Sequence, residues 1–176
     1  PAARVARAER FDARLRRALE MGDHEGDALE VIGAGLAAAV PGRPAELLLA
    51  DSSQAHLQRA VGVGEGGCPV DTPRACAAVR RGQTTVFASS EALDACPKLK
   101  GRPTGPCSAV CVPVTVLGRT IGVVHATGPE GRPPAEGAIG RVESVATHGG
   151  SRLGVIRATA ESRLQASTDP LTGLLN

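Results

Sequence analysis

Five cysteines are the residues of this sequence best suited to chemistry. They are Cys68, Cys76, Cys96, Cys107 and Cys111. The thiolate of a cysteine is both a nucleophile and a soft metal ligand, so a group of cysteines suits either redox chemistry or metal binding. In a reducing compartment, free thiols, metal ligands and redox sensors are all more common than structural disulfides.

The first hypothesis is a metal or cluster site. Four of the cysteines are 8, 20 and 11 positions apart and would meet if their segments converge: Cys68, Cys76, Cys96 and Cys107. Four sulfurs in a tetrahedral arrangement suit zinc or an iron–sulfur cluster. The Cys-x-x-Cys pairs typical of a zinc ribbon are missing. Cys68 and Cys96 each precede a proline and resemble the Cys-Pro pairs of some haem-regulated proteins, which adds haem as a candidate cofactor.

The second hypothesis is a thiol switch, and the third is that the cysteines only fill the core. A disulfide between Cys68 and Cys76, or between Cys96 and Cys107, would reshape the segment that carries it. Three arginines would favour reactive thiolates in these segments: Arg74, Arg80 and Arg102. Free cysteine is also among the most buried residue types. Cys111, between two valines in a predicted strand, fits the third hypothesis best.

His125, in the segment GVVHATG, adds a candidate nitrogen ligand. In a strand it points to the opposite face from Val124, where it could contact a metal, a haem or an anion. A lone histidine in a strand is more often simply hydrogen-bonded in place. No residue pattern in the sequence indicates a catalytic residue.

The elements that position these residues follow from apolar periodicity and turn residues. Helices are predicted at 2–21, 28–40, 73–81 and 137–166, and strands at 45–51, 56–64, 84–89, 109–116 and 120–126. A tight Leu-Gly-Arg turn joins the last two strands. Residues 90–106 are predicted as a loop with a helical turn at its start. This order predicts an α+β fold with a central, mostly antiparallel sheet of about five or six strands and helices packed on it.

The two flanking helices carry patterns of dimer-forming helices. The N-terminal helix is amphipathic, with a narrow apolar stripe that suits a partner helix. In the C-terminal helix, small and apolar residues recur alternately every four and three positions, as in a coiled-coil seam: Val142, Ala146, Gly149, Leu153, Ile156 and Ala160. We therefore expect a parallel homodimer.

Composition excludes other classes of function. The net charge is only +2, and Phe11 and Phe87 are the only aromatic residues. Nucleic-acid binding usually needs a clustered basic face or stacking rings, so we expect no nucleic-acid partner. The sequence has neither a signal-peptide core nor the roughly 20 apolar residues that span a bilayer, so we expect a cytoplasmic protein. Because the chain lacks an initiating Met, we expect a longer parent protein, which could carry a membrane segment upstream.

Residues 25–165 resemble a GAF domain. The resemblance rests on the element order, on the helix-to-strand step AVRRGQTTVFAS, and on SAVCVPVTVLGRTIGVVHATG with its Gly-Arg turn and Gly-Val-Val-His strand. It implies a sensory domain that holds a small ligand between the sheet and the segments that cover it. By this resemblance the cover consists of residues 64–82 and 90–106, and four of the five cysteines lie in or beside it.

The last residues, STDPLTGLLN, resemble the opening of a bacterial GGDEF diguanylate cyclase domain, which usually reads Asp-x-Leu-Thr-Gly-Leu-x-Asn-Arg. The resemblance implies a parent protein that makes cyclic di-GMP from two GTP, with two cyclase domains face to face. It divides the chain into an N-terminal dimer helix (1–24), a GAF-like core (25–136), a signalling helix (137–168) and the start of the GGDEF domain (169–176).

Together the two resemblances predict a regulatory domain rather than an enzyme. We expect a small-molecule or redox signal at the cysteines, a homodimer, and control of a covalently linked diguanylate cyclase through the C-terminal helix. Two alternatives stay open. One is a ligand-free dimerisation module with unreactive buried cysteines, and the other is an enzyme similar to the GAF-type methionine sulfoxide reductases.

Overall fold

The computed structural model describes residues 2–167, with side chains to residue 163. In that part of the chain the elements are α1 (Ala2–Glu20), α2 (Glu25–Ala39), β1 (Ala45–Ala50), β2 (Leu57–Val63), α3 (Ala77–Arg81), β3 (Thr85–Phe87), β4 (Cys107–Val116), β5 (Arg119–Pro129) and α4 (Glu136–Ser167). Two 3₁₀ turns, Pro73–Ala75 and Pro97–Leu99, lie between strands. Apart from its first residue, the segment STDPLTGLLN lies outside the described residues.

The strands form one antiparallel sheet in the order β2-β1-β5-β4-β3. The β4–β5 hairpin closes through Leu117 and Gly118, which both have positive φ (48° and 78°). Two successive residues of positive φ are typical of the hairpin turn whose twist matches the flanking strands. The sheet and its helices confirm the predicted α+β class.

The helices α1, α2 and α4 cover one face of the sheet, called here the helix face, and enclose the main core. Alternate residues of the strands point to this face, among them Leu47, Val112 and Val124. They meet aliphatic side chains of all three helices: Leu15, Leu19, Ile32, Leu36, Val142, Val145 and Leu153. Burying a side chain of this size contributes roughly 1.5–3 kcal/mol to folding, so this core is the main source of stability.

The structure corrects the assignment of the α4 seam to a dimer interface. Val142 and Leu153 are fully buried, and Ala146 and Gly149 are buried beside them within the same chain. These four residues are therefore unavailable to a partner in this conformation. The last two predicted seam residues differ: Ile156 is partly buried and Ala160 is exposed.

The flanking helices are also part of the core rather than additions to a core at residues 25–136. A β-carbon on Gly149 would lie 2.8 Å from the side chain of Ile32, and one on Gly150 would lie 2.7 Å from Val114. The glycines of α4 therefore let this helix approach α2 and β4 closely.

Within the described residues no helix, α4 included, is long and apolar enough to cross a bilayer.

The opposite face of the sheet, called here the loop face, is covered mostly by irregular chain. A second, smaller cluster of buried residues joins the strands to this cover: Leu48, Ala50, Leu57, Val70, Cys76, Ala78, Cys111 and Val123. The predicted helix 73–81 is broken at Cys76 into a 3₁₀ turn and α3. The helical turn predicted at the start of residues 90–106 lies instead at Pro97–Leu99, where proline occupies the first helical position.

Candidate functional site

A row of three side chains crosses the sheet on the loop face. Cys111 of β4 pairs with His125 of β5, and His125 pairs with Glu46 of β1. Paired residues of neighbouring strands point to the same face, and Cys111 belongs to the loop-face cluster. All three are buried, with exposed fractions of 8%, 2% and 2%. The centre of the loop face therefore carries a thiol, an imidazole and a carboxyl group side by side.

The cover fixes Cys76 at the joint between two short helical turns. The hydroxyl oxygen of Thr72 accepts a hydrogen bond from the N–H of Ala75 (3.3 Å) and so caps the first turn. Cys76 then precedes α3, which ends at Gly82 in the left-handed conformation (φ 62°). These two caps hold the buried Cys76 against the sheet.

Two other parts of the cover supply Cys68 and Cys96. The N–H of Cys68 donates a hydrogen bond to Oε1 of Glu46. Cys96 precedes the turn Pro97–Leu99, whose last residue is buried and anchors the turn. Both cysteines are only partly buried, unlike Cys76 and Cys111.

One small cavity is lined by four cysteines: Cys68, Cys76, Cys96 and Cys111. Most of its remaining wall is apolar and includes Val70, Phe87 and Leu99. Its volume is about 10 Å³, close to the space that a single water molecule needs. Thiols from separate segments of the cover therefore converge with a thiol of the sheet, but this conformation has no room for an organic ligand.

Cys107 is not part of this cavity, which corrects the predicted set of four. Its N–H donates to Oγ of Ser90 (3.2 Å), and its carbonyl accepts from the N–H of Ser90 (2.7 Å). Nη1 of Arg102 lies 3.7 Å from its Sγ, and Arg102 also donates to the carbonyl of Gly67. Cys107, the first residue of β4, therefore lies where the strand meets the hydrogen-bonded end of the cover, and Cys111 takes its place among the cavity thiols.

Burial keeps three of the four cavity thiols protonated. Desolvation raises the pKa of Cys68 from 9.0 to about 11. It also raises the pKa of Cys76. The pKa of Cys111 is raised well above its ordinary value, first by burial and then by the negative charge that neighbouring thiolates would carry. At neutral pH these three positions therefore present neutral thiols rather than reactive thiolates.

His125 is neutral as well. Burial, and after it the positive charge of Arg102, lowers the pKa of His125 from 6.5 to about 3. Its Nδ1 lies 3.3 Å from Sγ of Cys111, and its Nε2 has no hydrogen-bond partner among the described residues. The predicted candidate thus lies next to a cavity thiol. The pair is a neutral thiol beside a neutral imidazole, unlike the thiolate pairs that activate catalytic cysteines.

Glu46 ties the cover to the sheet. Its Oε1 lies 2.5 Å from the N of Cys68, and its Oε2 lies 3.1 Å from Nε of Arg59. Burial raises the pKa of Glu46, while the N–H of Cys68 and the charges of Arg59 and Arg102 oppose the rise. Glu46 is missing from the predicted site residues. The available signal was a charged residue inside the apolar strand AELLLA, because a buried charge needs a partner.

The converging thiols do not form a metal centre in the described part of the chain. No three His, Cys, Asp or Glu side chains there are placed to hold a metal ion together. Zinc and iron–sulfur clusters need several ligands at once, so neither has a preformed site among these residues. A haem exceeds a cavity of about 10 Å³. All five cysteines are free thiols.

Comparison with known proteins gives matches in fold but not in sequence. No protein-family model matches the chain, and no curated protein matches it. The GAF domain of a phosphoenolpyruvate-protein phosphotransferase from Coxiella burnetii superposes with a TM-score of 0.72 at 15% identity, over 88% of this chain and 96% of that chain.

Two other solved structures match in the same way. A GAF domain/HD domain protein from Geobacter sulfurreducens has a TM-score of 0.62 at 14% identity, over 80% of this chain and 98% of that chain. A free methionine-R-sulfoxide reductase from Neisseria meningitidis, solved in complex with its substrate, has a TM-score of 0.65 at 20% identity, over 86% of this chain and 91% of that chain. The order of the sheet, its helical layer and these matches show that the chain has the GAF fold.

Proposed function

We propose that this chain is the sensory domain of a signalling protein, and that the cavity lined by cysteines receives the signal. The observation that carries the proposal is the convergence of Cys68, Cys76, Cys96 and Cys111 on one cavity. Structures of the same fold include a domain of a putative two-component sensor histidine kinase from Sinorhizobium meliloti and a methyl-accepting chemotaxis protein. A histidine kinase sensor and a chemotaxis protein both support a sensory role for the fold, and the thiols suggest what this chain senses.

Oxidation is the signal that fits the cavity best. A disulfide needs no added volume, whereas an organic ligand needs more than the space of one water molecule. Cys68 and Cys96 are partly exposed, and Cys76 is buried in the wall of the same cavity. An oxidant can therefore reach the first two thiols, while Cys76 is placed to close a disulfide.

A hydroperoxide is the class of oxidant we propose. The thiolate of Cys68 attacks one peroxide oxygen, the O–O bond breaks, and the other oxygen leaves as water or an alcohol after taking up a proton. Cys68 is then a sulfenic acid. The sulfur of Cys76 attacks the Cys68 sulfur, gives up its proton, and water leaves as the disulfide forms. The two thiols lose two electrons in all, and the peroxide gains them.

Burial of Cys68 limits the rate at which a peroxide oxidises this sensor. Because the pKa of Cys68 is about 11, only a very small fraction of this thiol is ionised at neutral pH while the cover is closed. The first step is therefore slow until the cover moves. The hydrogen bond between Glu46 and the N–H of Cys68 holds that part of the cover in place.

The output we propose is control of a diguanylate cyclase that follows this domain. The support is the resemblance of STDPLTGLLN to the opening of a GGDEF domain. The helix α4 leads directly from the core to this segment. Its residues Gly150 and Gly154 lie against Val114 and Val116 of β4, the strand that also carries Cys111. A change at the cavity can thus reach α4 through one strand.

Peroxide treatment of the purified chain, followed by disulfide mapping with mass spectrometry, tests the sensing step. We expect a disulfide between Cys68 and Cys76 that is lost in Cys76→Ser and kept in the matched control Cys107→Ser. Metal and acid-labile sulfide are measured in parallel on protein purified without oxygen. A stoichiometric metal that Cys76→Ser removes would favour a metal sensor over oxidation. Neither metal nor disulfide would show that the cysteines only fill the loop-face cluster.

Reduction of methionine sulfoxide is a second candidate function. Free methionine-R-sulfoxide reductases from Neisseria meningitidis and Thermoplasma acidophilum share this fold, and the present chain places several thiols together under its cover. The cavity would have to open to admit such a substrate. Formation of methionine from methionine-R-sulfoxide in the presence of dithiothreitol, abolished by Cys96→Ser or Cys68→Ser, would support this enzyme. Absence of turnover would favour the sensor.

A further inference from the structure

A groove of about 610 Å³ lies on the far side of the molecule from the cysteines, where α1, α2 and α4 meet. Leu15 of α1 and Val145 of α4 both approach Gly35 of α2, to 3.2 Å from where its β-carbon would be. Arginines and small or apolar residues of α1 and α2 line most of the groove, and Arg141 of α4 completes it. A volume of this size is within the range of pockets that hold small molecules.

The two ends of the groove differ in chemistry. The connection between α1 and α2 is only residues 21–24, so the two helices run antiparallel, and the N-terminal half of α1 lies beside the end of α2. Arg141 marks that end, because its Nη2 donates to the carbonyl of Ala39 (2.9 Å). The start of α4 lies there too, since Glu136 pairs with Arg4 (3.8 Å). Arg7 and Arg10 therefore lie at the same end as Arg141.

The other end of the groove is apolar. It is lined by Ala18 of α1 and Val31 of α2, about 12 Å from the level of Arg10 for a run of eight helical residues. Ala34, Gly35 and Ala38 form a floor of small residues between the two ends. The groove thus has a floor of small residues, three arginines at one end, and Arg14 about 6 Å further along α1 than Arg10.

The positive charge is not balanced within the groove. No Asp or Glu is among the lining residues, and within the described part of the chain Arg7, Arg10 and Arg14 form no ion pair. A second copy of this chain docked with its α1 parallel to this one would bring the same arginines together, which like-charge repulsion disfavours. A nucleotide would need polar side chains that read its base, and the groove offers only guanidinium groups and one ring, Phe11.

We propose that this groove binds a medium-chain carboxylate. The carboxylate lies among Arg7, Arg10 and Arg141, and the alkyl chain runs along Ala38 and Gly35 toward the apolar end. Guanidinium groups bind carboxylates through charge-assisted hydrogen bonds, and the chain gains the burial of its methylene groups. The site is independent of the cysteines and lies on the helical layer, of which α4 is a part.

Calorimetric titration of the full chain with decanoate tests the proposal. We expect saturable one-to-one binding of decanoate, weaker binding of decan-1-ol and none of butyrate at equal concentration. The double substitution Arg7→Gln and Arg10→Gln should weaken decanoate binding about tenfold or more and leave decan-1-ol unchanged, because only the carboxylate contacts these side chains. Arg16→Gln, an exposed arginine of the same helix outside the groove, is the matched control.

A second variant tests the apolar end, and three outcomes would overturn the proposal. Ala38→Leu places a larger side chain on an exposed position of the floor and should reduce binding of both decanoate and decan-1-ol without unfolding the chain. Absence of saturable decanoate binding would overturn the proposal. So would binding only to vesicles of anionic lipid, which indicates a membrane surface, or a dimer in sedimentation that Ala38→Leu dissociates, which indicates a second copy.

Discussion

The helix face and the loop face of the sheet share the same strands but differ in chemistry. On the helix face, Val124 and Leu36 are fully buried among aliphatic side chains of three helices. On the loop face, the same strands present Glu46, His125 and Cys111 to a cover of short turns. Because side chains alternate along a strand, one residue can stabilise the fold while its neighbour serves a site. We therefore expect the two faces to respond differently to mutation.

The largest effect on global stability should come from the helix face. Leu36→Ala removes a fully buried side chain from the main core and should lower the free energy of unfolding by about 2–5 kcal/mol, measured by chemical denaturation. Leu99→Ala, matched in type and burial, should instead open the cover locally. Its signature is faster hydrogen exchange in residues 90–106. Equal losses of global stability, with no local opening, would mean that both faces form one cooperative unit.

The buried imidazole of the loop face should make stability depend on pH. The pKa of His125 is about 3 in the folded protein, whereas in the unfolded chain it takes its ordinary value of 6.5. Between these two pH values the unfolded chain therefore binds more protons than the folded protein. Stability should therefore fall as the pH drops from 6.5 toward 3, by up to about 1.4 kcal/mol per pH unit. The measurement is denaturant unfolding at several pH values for the parent chain and His125→Gln.

We expect His125→Gln to flatten this slope and Gln83→Ala, which replaces an exposed side chain that does not titrate, to leave it unchanged. The raised pKa of Glu46 works in the opposite direction just above 4.5, because there the folded state holds the extra proton. Glu46 is present in all three proteins, so its contribution cancels in the comparison. An identical slope in His125→Gln would show that the imidazole is not buried in its neutral form.

The contact between Glu46 and the cover should have a smaller and mainly local effect. Glu46→Ala leaves the N–H of Cys68 without its acceptor and should cost about 1–3 kcal/mol. It should also speed alkylation of Cys68, because this part of the cover opens more often. Glu46→Gln is the matched control, since its amide oxygen can still accept from that N–H. If Glu46→Ala leaves the alkylation rate unchanged, Glu46 does not hold the cover.

The two faces also differ in how far sequence predicts them. The hairpin of β4 and β5 was predictable because alternating apolar residues and a Leu-Gly-Arg turn are local signals. The α4 pattern was ambiguous for a physical reason. Small and apolar residues at three and four positions fit a partner helix as well as they fit the chain's own sheet, and Val142 and Leu153 pack in the chain's own core.

The loop face depends on contacts that local patterns do not encode. Cys107 and Cys111 point to the same face of β4, but four residues of strand separate them by about 13 Å. Only the position of the cover decides which of them meets Cys68 and Cys76. Glu46 likewise lacks any local sign of its partner, which comes from a segment beyond β2.

Substitutions of Cys107 and Cys111 should have the smallest effect on stability, but they should differ most clearly in their effect on function. Both are 8% exposed and both lie in β4, so packing alone predicts that Cys107→Ala and Cys111→Ala each cost about 1 kcal/mol. Their surroundings differ. Cys111 lines the cavity beside His125, whereas Cys107 lies near Arg102 at the end of the cover.

We therefore expect peroxide to form the disulfide between Cys68 and Cys76 at the parent rate in Cys107→Ala and at a changed rate in Cys111→Ala. The physical reason is that removing the Cys111 sulfur enlarges the cavity in which the two thiols must meet, while removing the Cys107 sulfur leaves that cavity intact. Quenched time points analysed by mass spectrometry give both rates. If the two variants oxidise alike, the cavity does not control the reaction, and the loop face would be a second packing layer rather than a sensing site.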